Sequence, residues 1–307
     1  MDIWVEFANS RYGYISSLVP NSMLLVYTTW KVVQLCRRRG LRSADKLYGQ
    51  HRFVVFILML INLIIKCVYD VKSLYYYYTR TAEEETSMYI FSVLSQFRTI
   101  LIITVATYFA QSWHRSYTLF EENEQSKRTH RMYRVGMFFI NLLAYLSLIL
   151  TPMYWVYDDL ELLAIMFGIF GIDLLIVTIA LAITGRKFYQ RVLNLLTYTG
   201  RSVKSSKRFL KIYYLIIICC LMKCIEMGMI TVLTWDGGFA SQTLYYIYDI
   251  MSLFVFRAFI EPLFYLCLIF LLNESASKCK SVISEDVTSD HFIQDSSRSQ
   301  SQSLDIF

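Results

Sequence analysis

From Leu160 to Thr184 the sequence carries only two charged residues, Glu161 and Asp173, and everything else is Leu, Ile, Ala, Val, Phe, Met, Gly or Thr. About 20 apolar residues wound into a helix cross the roughly 30 Å hydrocarbon layer of a bilayer. In lipid the backbone must satisfy its own N–H and C=O groups, which a helix does internally. Comparable blocks recur at about 14–34, 53–70, 88–113, 135–156, 211–234 and 244–272. The predicted fold is therefore all-α: a polytopic bundle of seven transmembrane helices over 14–272. A short outer segment, 1–13, precedes it, and a Ser-rich, disordered cytoplasmic tail, 273–307, follows it. A 56% hydrophobic composition with a mean hydropathy of +0.42 belongs to the same class.

The charges between the blocks alternate. Arg37, Arg38, Arg39, Arg42, Lys46 and Arg52 follow the first block, Arg115, Lys127, Arg128, Arg131 and Arg134 the third, and a still more basic stretch the fifth. The intervening segments carry Glu83, Glu84 and Glu85, then Asp158 and Asp159, then Asp236. Lys and Arg collect on the cytoplasmic side, so the N-terminus is expected outside or in a lumen and the C-terminus in the cytoplasm. The net charge of +6 is thus a topological signal, and no nucleic-acid partner is expected. The opening residues lack a basic n-region, so the first block reads as an uncleaved anchor. None of the seven cysteines falls in a segment assigned to the outside, and no disulfide framework is implied.

Catalytic patterns are lacking. His51, His114, His130 and His291 fall in segments assigned to the cytoplasm, without a His-x-x-x-His pair or an intramembrane His/Asp set for zinc. Neither a Gly-x-Ser-x-Gly elbow nor a phosphate-binding loop is present. The chain is expected to be neither an enzyme nor a carrier of a metal or cofactor.

Ionisable residues inside the apolar blocks are costly there and should face the bundle interior or a wet cavity. At about 1.5 Å per residue, Arg98, Glu226 and Arg257 lie in one layer roughly 22 Å from the cytoplasmic ends, and Lys223, Asp173 and Glu261 in another at roughly 16 to 18 Å. A midplane polar network of these six residues is expected, with Arg257 to Glu226 the foremost contact between successive helices. Lys66 and Asp70 form a separate pair one turn apart. Such a network fixes helix rotation, or serves a ligand, ion or proton.

On the cytoplasmic side, Arg186, Lys187, Arg201, Lys204, Lys207 and Arg208 make the 185–211 loop a candidate grip for an acidic partner or anionic headgroups, although topology alone also produces basic loops. Tyr117-Thr118-Leu119-Phe120 has the form of a tyrosine-based sorting signal, with Tyr117 and Phe120 as its recognition residues.

Phe138-Phe139-Ile140-Asn141 with Tyr145, then Gly185-Arg186-Lys187-Phe188, then Cys219-Cys220-Leu221-Met222-Lys223-Cys224 resemble, in order and spacing, motifs of the tobamovirus-multiplication (THH1/TOM1/TOM3) family and its animal orphan-receptor-like lysosomal relatives. The likeness covers spans three to seven. Two places depart from it: Phe109-Ala110-Gln111 stands where the family tends to have Trp-Ala-Glu, and Glu261-Pro262 where it has Glu-x-x-Pro. The resemblance implies a seven-span regulator or scaffold of an endolysosomal or vacuolar membrane that recruits small GTPases or their regulators. The alternatives are a ligand-sensing receptor coupled to a G protein and a small transporter. Against the rhodopsin-like pattern, span three ends Ser112-Trp113-His114-Arg115 without an acidic-Arg-Tyr triplet, while Pro262 and Tyr265 echo a Pro-x-x-Tyr element in span seven.

Overall fold

The computed structural model describes residues 11–38, 46–79, 85–118, 124–157, 159–198, 204–235, 247–248 and 251–272, and among these nearly every residue is helical and no strand occurs. The helices are α1 (Arg11–Arg38), α2 (Lys46–Thr79), α3 (Glu85–Thr118), α4 (Glu124–Ser147), α5 (Leu150–Tyr157), α6 (Leu160–Tyr198) and α7 (Lys204–Trp235). The last, α8, opens as the π-helical segment Met251–Ile260 and continues as α-helix over 261–272. The short outer segment and the C-terminal tail lie outside the described residues.

Among the described residues six stretches are long and apolar enough to cross a membrane: Phe53–Tyr75, Ser92–Arg115, Lys127–Tyr157, Leu160–Arg191, Arg208–Trp235 and Val255–Leu272. The chain is an integral membrane protein by this measure, and its surface agrees. Phe138, Phe139, Leu142, Leu143, Leu146 and Ile149 point outward from α4 and the turn after it, and Ile172, Leu175, Ile176, Ile179 and Ile183 from α6. Apolar surface so continuous is far beyond what a soluble monomer exposes.

Helix α1 is not among the six. Its 28 residues include Ser16, Ser17, Asn21, Ser22, Thr28 and Thr29, which hold its hydropathy down. The polar residues are sorted by face: Ser17, Asn21 and Thr28 are buried, with Leu24 between them, while Val19, Met23, Val26 and Trp30 are exposed. Ser17 Oγ donates to Asp70 Oδ2 on α2 at 2.9 Å. The helix packs on α2 and on the start of α8.

Two prolines account for the irregular helices. A helical proline has no N–H to give and its ring crowds the carbonyl four residues back. Pro152 stands four residues after Leu148, where the fourth span breaks between α4 and α5. Pro262 stands just after the π-helical stretch, whose wider turn ends at Ile260. Asp159 starts α6, its Oδ1 accepting the Glu161 N–H at 2.9 Å as an N-cap.

Helix α6 runs 39 residues, about 58 Å, nearly twice the hydrocarbon thickness. The segment from Gly185 to Tyr198 therefore continues the helix instead of forming the loop expected from its charges. Arg, Lys, Gln and Leu are good helix formers, and after Gly185 the segment holds neither Gly nor Pro.

Helix α3 sits in the middle, packed on α2, α4 and α6, while α6 packs on α7 and α7 on α8. Asn141 Nδ2 donates to Thr107 Oγ1 at 2.8 Å, and Tyr145 OH meets Thr104 Oγ1 at 3.3 Å, so the polar residues of the Phe-x-Ile-Asn-x-x-x-Tyr-like run bind α4 to α3. His114 and His130 stack at 5.3 Å with Nδ1 atoms 3.1 Å apart and tie the far ends of the same two helices. Gly185 lets α6 and α7 touch: a Cβ there would collide with the Tyr213 ring and lie 2.9 Å from Trp113.

Candidate functional site

Helices α2, α3, α7 and α8, with Phe167 of α6, surround a cavity of about 390 Å³. Its walls reach from Ser73 and Ser92, near the ends of α2 and α3 that carry Thr79 and Glu85, down to Ile102, Lys223 and Glu261 at mid-bundle. Serine, threonine and glutamine from α3 supply one wall, at positions 92, 95, 96 and 99, one and two turns apart on one face. Gln96 is fixed from behind, its Oε1 accepting from the Thr151 hydroxyl at the start of α5.

Charged side chains form the floor. Glu261 is buried and uses both oxygens: Oε2 accepts from Arg98 Nη2 at 2.6 Å and Oε1 from Lys223 Nζ at 2.6 Å. Lys223 also reaches Glu226 Oε2 at 2.5 Å. Arg98 is held further by α2, where Asn62 Nδ2 donates to the Arg98 carbonyl at 2.9 Å and Arg98 Nε faces Asn62 Oδ1 at 3.4 Å. The result is a continuous chain, Arg98–Glu261–Lys223–Glu226, joining α3, α8 and α7. Buried ions persist in such surroundings only when paired and hydrogen-bonded, and these four are.

Two of the six residues singled out in the sequence stand apart. Arg257 lines the cavity, but its guanidinium lies 5.6 Å from the centre of the Tyr69 ring, and among the described residues it makes no ion pair. The contact with Glu226 expected from hairpin adjacency is replaced by the Lys223–Glu226 pair within α7. Asp173 is buried on α6 away from the cavity, one oxygen lacking any hydrogen-bond partner among the described residues. Lys66 and Asp70 pair at 2.9 Å, and Ser17 extends that pair to α1.

At the cytoplasm-assigned end the bundle is filled by rings. Trp113 packs against Phe109, Phe209 and Tyr213 at 6.0, 6.1 and 5.7 Å, Phe188 against Phe209 at 5.7 Å, and Tyr213 OH donates to the Ala182 carbonyl at 2.6 Å. Of the basic partner-binding candidates, Arg186 and Lys187 are exposed on α6 and Arg208 on α7. Lys204 and Lys207 fall in the first turn of α7, and Arg201 lies outside the described residues. Tyr117 falls in the last turn of α3, and Phe120 lies outside the described residues. Among the described residues no three His, Cys, Asp or Glu side chains gather as metal ligands.

The sequence left open whether the charges face the bundle interior or a wet cavity, and it did not single out the uncharged polar residues of the wall. Ser92, Ser95, Gln96, Thr99 and Arg98 all lie on span three, and a run of polar residues within an apolar block is the signal that marks such a wall. No protein-family model, curated protein or solved structure matches this chain.

Proposed function

We propose that the protein is a ligand-sensing seven-span membrane protein, and that its ligand is a small polar molecule held in the cavity between α2, α3, α7 and α8. The observation that carries this is a 390 Å³ polar cavity over a floor of paired charges inside a membrane bundle. Ligand sites of globular proteins occupy roughly 300 to 1,000 Å³. A network serving only to fix helix rotation needs close packing and no such space. Each charge at the centre of a membrane helix costs on the order of 3 kcal/mol on insertion scales, which is why intramembrane ions mark functional sites.

In this reading α1 is the seventh span, its buried polar face and lipid-facing apolar face supporting that place despite its modest hydropathy. The N-terminus is outside and the C-terminus cytoplasmic in this reading, which the alternation of basic segments supports. The cavity then opens toward the outer face. The aromatic packing of Trp113, Phe188, Phe209 and Tyr213 beneath it favours sensing over transport, since those rings pack against one another between α3, α6 and α7. Recruitment of a small GTPase at an endolysosomal membrane follows from the sequence resemblance alone, and no feature of the cavity selects it.

Ser95→Trp fills the cavity from the α3 wall and tests the reading. Purified protein is screened for small polar compounds that raise its thermal midpoint. Compounds active on the parent should lose their effect on the folded Ser95→Trp variant. Equal effects on both proteins would place the site elsewhere.

A further inference from the structure

The charges of the cavity do not balance. Arg98, Lys223 and Arg257 face Glu226 and Glu261, three cations against two carboxylates at its floor. The two carboxylates are already engaged, Glu261 by Arg98 and Lys223 and Glu226 by Lys223. That leaves Arg257, which among the described residues feels Glu226 and Glu261 only at a distance, makes no ion pair with either, and rests against the face of Tyr69. A cation over an aromatic ring gains about 0.5 to 2 kcal/mol, well short of what a hydrogen-bonded carboxylate supplies to a guanidinium removed from water. Arginine presents two parallel N–H groups that match a carboxylate or phosphate.

We infer that the cavity is a binding site for a small organic anion, whose acidic group pairs with the guanidinium of Arg257 and whose body lies along the α3 wall. The inference rests on the cavity reading above and adds the class of ligand. The volume exceeds the need of a bare halide. The hydroxyls and amide of Ser92, Ser95, Gln96 and Thr99 fit a ligand with polar substituents, and the rings of Tyr69 and Phe167 fit a flat or apolar body. The π-helical turn of α8 contributes by carrying Arg257 toward Tyr69 while Glu261, at the next turn, reaches Arg98 and Lys223. π-helical segments recur at functional sites for such re-aiming of side chains.

The test uses a thiol at the α3 wall, Ser95→Cys, and two reagents of similar size, (2-sulfonatoethyl) methanethiosulfonate and its trimethylammonium counterpart. The first is itself a small organic anion and the second a cation. Rates are measured on the full-length protein in lipid nanodiscs, each normalised to the same reagent's rate with 2-mercaptoethanol, and the parent protein sets the baseline for its own cysteines. A positive cleft with low-dielectric walls concentrates counter-ions by about tenfold or more. The anionic reagent is therefore expected to react at least about tenfold faster than the cationic one. That preference should persist in Arg257→Lys and fall toward unity in Arg257→Gln. Equal rates, a cationic preference, or a preference unchanged in Arg257→Gln would overturn the anion assignment while leaving a water-filled cavity in place. Failure of both reagents to reach Ser95→Cys above baseline would instead remove the cavity reading itself. Should Arg257→Gln fail to fold, the ratio in the Ser95→Cys protein and in its Arg257→Lys derivative still decides.

Discussion

At the scale of single residues, Glu261 and Glu226 are both buried carboxylates, yet the structure ranks them differently. Glu261 holds two cations from two other helices, whereas Glu226 among the described residues holds Lys223 alone, which keeps Glu261 when Glu226 is removed. Removing one partner of a buried ion pair costs about 3 to 5 kcal/mol because a charge is stranded. Glu261→Gln is therefore expected to lower the thermal midpoint and the folded yield much more than Glu226→Gln, as measured by fluorescence-detected size exclusion after heating. Similar losses in both would deny Glu261 its central place. Asp173 supplies a contrast within one protein: one buried oxygen has no hydrogen-bond partner among the described residues, so Asp173→Asn removes a charge without stranding another. The same measurement should find Asp173→Asn neutral or stabilised. The sequence marked all these positions, because an ionisable residue in an apolar run stands out. It could not assign their partners. Reasoning from successive helices pointed to Arg257 and Glu226, while α3, central in the bundle, brings Arg98 to Glu261 across 163 residues.

At the scale of elements, two contacts between helices can be separated by size. Gly185 sits where α6 meets Tyr213 and Trp113, and a methyl group there forces the helices apart. Overpacking of this kind costs about 1 to 3 kcal/mol, so Gly185→Ala is expected to destabilise the α6–α7 pair and lower the midpoint distinctly. Asn141→Ala removes one hydrogen bond to Thr107, and polar contacts between membrane helices average only about 0.6 kcal/mol. Its midpoint should barely move, and a larger loss than in Gly185→Ala would show that polar bonds dominate helix packing here. The helices themselves were legible from hydrophobic block length, but their ends were not. Basic segments after span five and before span six look like loops to a topological reading, yet Lys and Arg carry helix beyond the bilayer without penalty. The break at Leu148 and Ile149 and the widened turn before Ile260 both trace to prolines whose effects depend on the carbonyl four residues back. Their positions were readable, but the choice between a kink, a break and a π-turn is set by tertiary neighbours.

At the scale of the whole molecule, membrane character rests on length, apolarity and an apolar outer surface, while function rests on the one place where the bundle is polar and hollow. The polar run of span three marks one wall of such a hollow, but the other walls come from helices far apart in the chain, so no linear pattern shows that they meet. The most direct test is a cysteine scan from position 92 to 102 along α3, with reaction by an impermeant charged thiol reagent followed in membrane fragments open on both sides. Arg98, whose replacement would break its ion pair, is left intact; of the others, positions 92, 95, 96, 99 and 102 line the cavity, whereas Val93, Leu94, Phe97, Ile100 and Leu101 do not. Reactivity is expected at the first set and not at the second, a helical stripe fading toward position 102. A scan unreactive throughout, or reactive without that periodicity, would contradict a water-filled cavity in the bundle and the ligand-sensing role built on it.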